Sequence, residues 1–278
     1  MKLALIPPVA NFHYALRSQV HMLLTPVLED PVIGAAYKAR YGMLDRNAHY
    51  KILDNGAHEE AEGDGIGHTL RAARSLSGVA EVVMPDIQQE SDLTIASTIA
   101  AVDWLLTDEG IDEYTYGCGP AFQYVPQGRD LGEWVACLKA MLEQHERLQK
   151  TGIFPEYPVI GIAKKHAKIR PDFHAEACRF IEVLGKGMCP IHLMGWPVGC
   201  DIPKLLELFP GIRSVDTAKP FTLAMQEQDA TRPEVRLKGE SMLPRPDNYF
   251  RASITSDVEK RLVDINIAAF ERTCEGKA

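Results

Sequence analysis

Short apolar runs alternate with amphipathic helical patterns along most of the chain, and this alternation restricts the fold more than any other feature. Runs this short are typical of strands buried on both faces. Seven runs are clear, at residues 3–6, 50–53, 81–84, 122–125, 159–163, 191–194 and 212–215. Helical patterns lie between them, at residues 69–77, 93–106, 131–148, 173–184 and 202–209. Strands that alternate with helices predict a parallel sheet with crossover connections.

The predicted fold is a single TIM-like (β/α)8 barrel over residues 1–278, a length normal for one barrel of roughly 250 residues. The eighth strand has no clear run, and we expect it between residues 234 and 254. Segment 11–48 is mixed and partly helical, and we expect it to be an insertion over the first strand. Near the end of the chain, Ser256 and Glu259 form a capping box that predicts a helix to about residue 272.

The composition limits the compartment and the partners. The formal net charge is −8, so a polyanionic partner would need a local basic patch. The six cysteines show no CxxC spacing, which favours a reduced intracellular protein without structural zinc or disulfides. The first residues do not form a signal peptide, and no apolar run approaches the roughly 20 residues that span a bilayer. We therefore expect a cytoplasmic protein with no membrane partner.

Residues that could do chemistry follow most of the predicted strands. Asp54, Asp86 and Asp216 each come after a run, and Gln127 and Gly161 lie at the ends of two others. In a parallel barrel these ends converge on one face, where active sites lie. A single aspartate after a strand is often only a helix N-cap. Three of them on one face are less easily explained as caps, so they predict a functional site.

Three convergent carboxylates suit three chemistries, and the residues alone leave all three open. They could bind a metal, although no histidine or further carboxylate stands at ligand spacing beside them. One could abstract a proton. One could act as a nucleophile with another as acid/base, as at glycosidic bonds. A barrel lyase or aldolase is a further alternative, but it would need a Schiff-base lysine or a metal set at a strand end, and neither is evident.

Several short motifs keep one order over residues 50–222 and give the chain a resemblance to a known family. HLMGW at 192–196 is followed by SVDTAKPFT at 214–222, and this pair resembles two strands of the tRNA-guanine transglycosylases. Four earlier segments resemble the family's DSGG, base-binding Asp, VQG and GGLA motifs, namely DNGA at 54–57, Asp86, QG at 127–128 and GIA at 161–163. The resemblance implies a barrel enzyme that exchanges bases in a nucleic acid.

The resemblance also implies a role for each matching residue. Asp216 would attack C1′ and hold the sugar as a covalent ester, and Asp54 would be the general acid/base. Asp86 would accept hydrogen bonds from the N1–H and the amine of guanine. The other base-site residues would bind the carbonyl edge, cover the base or let the backbone approach it: Asn55, His58, Gln127, Gly128 and Gly161. The plainer alternatives are a helix cap for Asp216, an Asx turn for Asp54, a surface loop for Gln127 and packing for Gly161.

The sequence departs from the family in ways that affect the substrate. The family's zinc site, a CxCxxC with a downstream His after the nucleophile strand, has no counterpart, because Cys274 is the only cysteine after Asp216. The zinc subdomain that helps to seat tRNA is therefore expected to be missing, and no metal or cofactor is expected. This pattern resembles the DNA-modifying branch, whose phage and bacterial members insert 7-deazaguanines into DNA.

The expected activity is that of a pentosyltransferase, which exchanges guanine in DNA for a 7-deazaguanine base such as preQ0 by double displacement. A tRNA enzyme of the same chemistry and a non-catalytic nucleic-acid-binding subunit are alternatives. The location would be the host cytoplasm if the protein is phage-encoded, and a homodimer is one alternative for its assembly. A basic run is expected to bind substrate phosphates, against the plainer interpretation of a solvated helix face: Lys164, Lys165, Lys168 and Arg170.

Overall fold

Eight parallel strands form a closed barrel at the centre of the molecule. The computed structural model describes residues 1–57, 65–116, 119–170, 172–196, 202–236 and 245–276. Each strand pairs with the next along the chain, and β8 pairs with β1 to close the sheet. The predicted (β/α)8 barrel is therefore confirmed. The strands are β1 (Lys2–Leu5), β2 (Val20–Leu24), β3 (Tyr50–Asp54), β4 (Val79–Val83), β5 (Ala121–Tyr124), β6 (Val159–Ala163), β7 (Ile191–Met194) and β8 (Ile212–Thr217).

Helices surround the barrel and bury their apolar faces against the strands. They are α1 (Thr25–Glu29), α2 (Gly34–Gly42), α3 (Ile66–Ser75), α4 (Ser91–Leu105), α5 (Asp108–Tyr116), α6 (Leu131–Gln149), α7 (Phe173–Leu184), α8 (Ile202–Leu208), α9 (Lys219–Met225), α10 (Pro233–Arg236) and α11 (Asp257–Cys274), with 3-10 segments at Val9–Arg17, Lys164–Lys168 and Tyr249–Arg251. The predicted capping box opens α11, since Ser256 and Glu259 each bind the other's backbone N–H. Within the described ranges, no helix has the length and apolar character needed to cross a bilayer.

The eighth strand lies elsewhere than expected. It is β2, inside the segment that we expected to be an insertion, and all five of its residues are buried. The apolar run is interrupted by His21, whose Nε2 lies 2.9 Å from His49 Nδ1, so the side chain is buried with a polar partner. The segment from 245 to 254 is a loop with a short 3-10 turn instead. Its Ile254 exchanges two hydrogen bonds with the side chain of Asn11, which anchors the loop to the 3-10 segment at Val9–Arg17.

An ion pair crosses the amino end of the barrel interior. Glu81 on β4 is fully buried and accepts two hydrogen bonds from the guanidinium of Arg213 on β8, at 2.8 and 3.2 Å. Tyr50 on β3 donates to the same carboxylate at 2.7 Å. The pairing of β7 with β8 shifts register beside Arg213, which is the kind of irregularity that re-aims a side chain. Three strands are thus tied together at the end opposite the predicted site.

Candidate active site

A cavity of about 160 Å³ opens at the carboxyl ends of the strands, where the sequence predicts the site. Its lining brings together polar residues at the carboxyl ends of four strands, β3, β4, β5 and β8. The apolar part of its wall comes mainly from Ile6, Met22, Leu24, Val125, Met194 and Trp196. The polar part includes the predicted Asp54, Asp86, Gln127 and Asp216. Convergence of these side chains follows from the common direction of the strands, since every pair is parallel.

Asp216 is anchored through one of its two oxygens. Its Oδ1 accepts hydrogen bonds from His192 Nε2 at 3.1 Å and from the backbone N–H of Gly195 at 2.9 Å. The side chain is 11% exposed. No donor reaches its Oδ2 among the residues that the structure describes. Asp216 therefore presents one oxygen to the cavity while the other is fixed, which suits a nucleophile.

His192 is a site residue to which the sequence analysis gave no role, although it belongs to a motif named there. It is the first residue of the HLMGW segment. Met194, two residues later on the same strand, lines the cavity, so His192 also faces the barrel interior. The ring is fully buried and bridges Ser214 and Asp216. A histidine inside an otherwise apolar strand is the available signal, because a buried imidazole needs a partner for each nitrogen.

Asp54 ends β3 and begins a tight turn. Its Oδ1 accepts a hydrogen bond from Gly56 N at 3.2 Å, which is the Asx turn of the plainer alternative. Gly56 has a φ of +81°, and a Cβ there would lie 2.6 Å from Pro26 Cγ, so glycine is required. The turn and a functional role are compatible, since the same carboxylate also lines the cavity.

Asp86 is held by two side-chain amides. Asn55 Nδ2 donates to its Oδ1 at 2.9 Å, and Gln127 Nε2 donates to its Oδ2 at 2.7 Å. Burial raises the pKa of the Asp86 carboxyl to about 6, and the two hydrogen bonds partly oppose that shift. Each carboxylate oxygen has further lone pairs, so Asp86 can still accept two hydrogen bonds from a ligand.

The two amides cannot turn their oxygens toward Asp86. Asn55 Oδ1 accepts from Ala57 N at 3.0 Å, and Gln127 Oε1 accepts from Gln89 N at 3.1 Å. Both NH2 groups therefore face the carboxylate. Asn55 and Gln127 thus orient Asp86, a role that the sequence did not suggest. The second amide hydrogen of Gln127 still allows the expected contact with a carbonyl edge.

Gly128 and Gly161 are not among the residues that line the cavity. A Cβ on Gly128 would lie 2.5 Å from Trp134 N at the start of α6. A Cβ on Gly161 would lie 2.9 Å from both Gln123 Nε2 and Met194 Sδ, inside the barrel. Both positions exclude a side chain for packing reasons, so packing accounts for these glycines without a ligand. Their contact with a base stays a prediction.

The predicted basic run is divided between two surroundings. Lys164 and Lys165 line the cavity. Arg170 instead pairs with Asp172 through hydrogen bonds of 2.5 and 2.6 Å and does not line it. His58 and the side chain of Lys168 lie outside the described residues. Two cations outside the predicted run also line the cavity, Lys219 and Arg245, so basic groups from three parts of the chain meet there.

His166 lies among these cations but does not add to their charge. It is buried and stacked on Phe173, with ring centroids 5.0 Å apart. Burial lowers the pKa of His166 to about 4, so the ring is neutral at pH 7. Across the described ranges, no group of three or more His, Cys, Asp or Glu side chains could hold a metal ion. The expectation of a metal-free protein remains a prediction.

Comparisons with known proteins leave the family open. No family model matches the chain, and no curated protein matches it in sequence. Among solved structures it is similar to an oxaloacetate acetylhydrolase in complex with the inhibitor 3,3-difluorooxalacetate, with 13% identity, 100% of this chain and 93% of that chain covered, and a TM-score of 0.49. It is also similar to the IOLI protein with a binding zinc atom, with 13% identity, 100% and 99% coverage, and a TM-score of 0.46. Similarity this distant carries no argument about function.

Proposed function

We propose that this protein is a transglycosylase that exchanges guanine in DNA for a 7-deazaguanine base. The proposal rests on two aspartates that line one small cavity, Asp216 and Asp86, each of which is held by hydrogen bonds. Asp216 has one oxygen fixed and the other available, and Asp86 is held so that both of its oxygens can accept. The first arrangement suits attack on a sugar carbon, and the second suits recognition of a guanine edge.

The proposed reaction is a double displacement. Asp216 Oδ2 attacks C1′ as the bond from C1′ to the base nitrogen breaks, and the sugar becomes an ester of Asp216. Asp54 gives a proton to the departing guanine and then takes one from the incoming base. That base attacks C1′ and restores the Asp216 carboxylate. The target nucleotide must leave the base stack to reach the cavity.

Asp86 accounts for the choice of base. Guanine and 7-deazaguanines share an N1–H and an exocyclic amine that can donate to its two oxygens. Adenine lacks that pair of donors and would leave a buried carboxylate poorly satisfied, which costs about 1–3 kcal/mol. One recognition group can therefore hold the leaving base and the incoming base in turn, as a double displacement requires.

Base affinity should fall as the pH falls through about 6, because a raised pKa near that value means that Asp86 becomes protonated there. The ionised form exists above this pKa, and the neutral form loses an acceptor. Calorimetric titration of free guanine from pH 7.5 to 5 should show affinity dropping toward tenfold per unit below pH 6. Asp86→Asn should bind weakly with little pH dependence. Wild-type affinity that is constant over this range would remove Asp86 from base recognition.

The cations around the cavity should bind substrate phosphates. Replacing Lys164, Lys219 and Arg245 by Gln should weaken DNA binding and reduce the slope of log affinity against log salt by about 0.7 to 0.9 for each phosphate that is no longer bound. Arg147→Gln is a matched control, because Arg147 pairs with Asp103 and does not line the cavity. Arg170→Gln tests whether the end of the basic run binds phosphate or is only solvated, since Arg170 pairs with Asp172 and does not line the cavity. We expect it to leave the slope unchanged, and an unchanged slope in the triple variant would contradict the assignment.

Lys164 also favours a second candidate chemistry. The sequence showed no lysine suited to a Schiff base, yet Lys164 directly follows β6 and lines the cavity. A lyase or aldolase would use its amine to form an imine with a carbonyl substrate. Lys164→Arg separates the two proposals, since arginine keeps the charge for a phosphate but cannot form the imine. Retained base exchange in this variant supports the transglycosylase.

The decisive test of the function is incorporation of labelled guanine into each polymer. Purified protein is incubated with labelled guanine and either DNA or tRNA, and the label in each polymer is counted. We expect label in DNA. Label in tRNA alone would change the polymer and leave the chemistry standing, since the 2′-hydroxyl is what separates the two. Label in neither, with the protein folded, would contradict the proposal and favour a non-catalytic binding subunit or another reaction.

A further inference from the structure

A line of hydrogen bonds runs through the barrel interior and ends at Asp216. Arg213 Nε lies 3.3 Å from Ser214 Oγ, and Ser214 Oγ lies 2.8 Å from His192 Nδ1. His192 Nε2 lies 3.1 Å from Asp216 Oδ1. Ser214 and His192 are both fully buried. Such a line joins the ion pair at the amino end of the barrel to the cavity at the carboxyl end.

The direction of these hydrogen bonds is fixed at the Arg213 end. A guanidinium nitrogen can only donate, so Ser214 Oγ accepts from Arg213. The other side-chain partner of Ser214 Oγ among the described residues is His192 Nδ1, so the hydroxyl hydrogen of Ser214 is satisfied when it donates to that nitrogen. That nitrogen becomes an acceptor, which leaves the ring hydrogen on Nε2.

The Asp216 end selects the same arrangement. If Nδ1 carried the hydrogen in a neutral ring, the Nε2 lone pair would face a carboxylate oxygen at 3.1 Å, and two acceptors would oppose each other. With the hydrogen on Nε2, His192 donates to Asp216 Oδ1. The Asp216 end therefore requires a hydrogen on Nε2, and the Ser214 end is satisfied when Nδ1 accepts.

The start of the line is rigid. Arg213 contacts both oxygens of the buried Glu81 and also lies 3.2 Å from Tyr50 Oη. A two-point contact fixes the plane of the guanidinium as well as its position. Nε is consequently held toward Ser214, and the tautomer does not depend on a mobile side chain.

We propose that His192 is a positioning residue for Asp216, held in the Nε2–H form by Ser214 and Arg213. The proposal deepens the proposed function and rests on it for its kinetic part. Together with the amide of Gly195, His192 fixes Oδ1 and so leaves Oδ2 to form the bond to C1′. In the ester, Oδ1 is the carbonyl oxygen and keeps both donors. When the incoming base breaks the bond from Oδ2 to C1′, the same donors stabilise the carboxylate that leaves.

Three variants test the kinetic part. His192→Leu removes the donor and should lower kcat for base exchange by about 10- to 100-fold, the effect of one hydrogen bond to a charged group. KM should change by less than about threefold, because the base and the phosphates are bound elsewhere. His192→Gln can place an amide N–H near the Nε2 position and should recover much of the rate. Ser214→Ala keeps the His192 ring but removes the hydroxyl that selects its tautomer. Its kcat should lie between those of His192→Leu and His192→Gln.

His145→Gln is the matched control. His145 is also buried and hydrogen-bonded, with Nε2 3.0 Å from the Pro155 carbonyl oxygen, but it does not line the cavity. We expect its kcat to stay near that of the wild type. Equal losses in His145→Gln and His192→Leu, or no rescue by His192→Gln, would mean that His192 only supports the fold.

A second readout does not depend on the reaction. Two-bond ¹H–¹⁵N spectra of uniformly labelled protein distinguish the three forms of a histidine ring, and His192 is assigned by its absence from the His192→Gln spectrum. We expect a neutral Nε2–H ring at pH 7 in the wild type and a mixture of tautomers in Ser214→Ala. An Nδ1–H ring or an imidazolium at pH 7 would overturn the proposal. If the wild type exchanges no base in either polymer, the proposed function fails and these spectra alone decide the role of His192.

Discussion

Asp216→Asn is expected to abolish base exchange, with a loss of at least about 10⁴-fold in kcat. An amide nitrogen or oxygen is a poor nucleophile, so the variant should not form the ester with the sugar. The change should leave the fold intact. The amide oxygen of Asn can still accept from His192 Nε2 and Gly195 N, while its NH2 takes the place of Oδ2 beside the cavity.

The measurement has two parts, turnover and trapping. Label incorporation into DNA gives the rate, and a denaturing gel detects the covalent adduct between protein and polymer. We expect the adduct on the wild type and none on Asp216→Asn. Asp103→Asn is the control, since Asp103 is an exposed partner of Arg147 and does not line the cavity. Normal turnover by Asp216→Asn would rule out this residue as the nucleophile.

Asp54→Asn should slow exchange by about 10² to 10⁴-fold, the usual contribution of a general acid/base. Asn can keep the turn, because its oxygen can accept from Gly56 N as Asp54 does. The loss should therefore reflect proton transfer rather than local unfolding. Thermal unfolding midpoints of Asp54→Asn and the wild type that agree closely would establish this.

A change of leaving group isolates the proton that Asp54 is expected to supply. A 7-methylguanine base already carries a positive charge in DNA and departs without protonation. Release of 7-methylguanine should therefore proceed at nearly the wild-type rate in Asp54→Asn, whereas Asp216→Asn should release neither base. Equal losses for guanine and 7-methylguanine in Asp54→Asn would assign Asp54 to positioning and leave the acid unassigned.

Seven strands of this barrel were predictable because most of their side chains are apolar, as expected for parallel strands buried on both faces. Single polar residues such as Lys51, Glu81 and His192 did not hide these runs. β2 escaped because it lies in segment 11–48, whose pattern is mixed and partly helical, and its buried His21 has its partner in His49. That partner lies 28 positions further along the chain. No local pattern can show it.

The sequence predicted which residues lie at the strand ends of the candidate site, but not how their side chains are bonded. Asp54, Asp86 and Asp216 follow strands, and parallel strands must bring such residues to one face. The partners of each carboxylate were not predictable in the same way. Asn55 was expected to let the backbone approach the base, yet it orients Asp86 from a neighbouring strand end. Arg170 was expected beside phosphates; it pairs with Asp172 and is not among the residues that line the cavity.

The sequence by itself determined the kind of fold and the face that carries the chemistry, because burial pattern and chain direction are local properties repeated along the chain. The tertiary structure alone decided which polar groups meet. A register shift between β7 and β8 turns Arg213 toward Glu81, across the barrel, and that contact orders Ser214, His192 and Asp216 in turn. Hydrogen bonds select partners by distance and direction to within a few tenths of an ångström. Closure of the barrel, and not spacing along the chain, sets those distances.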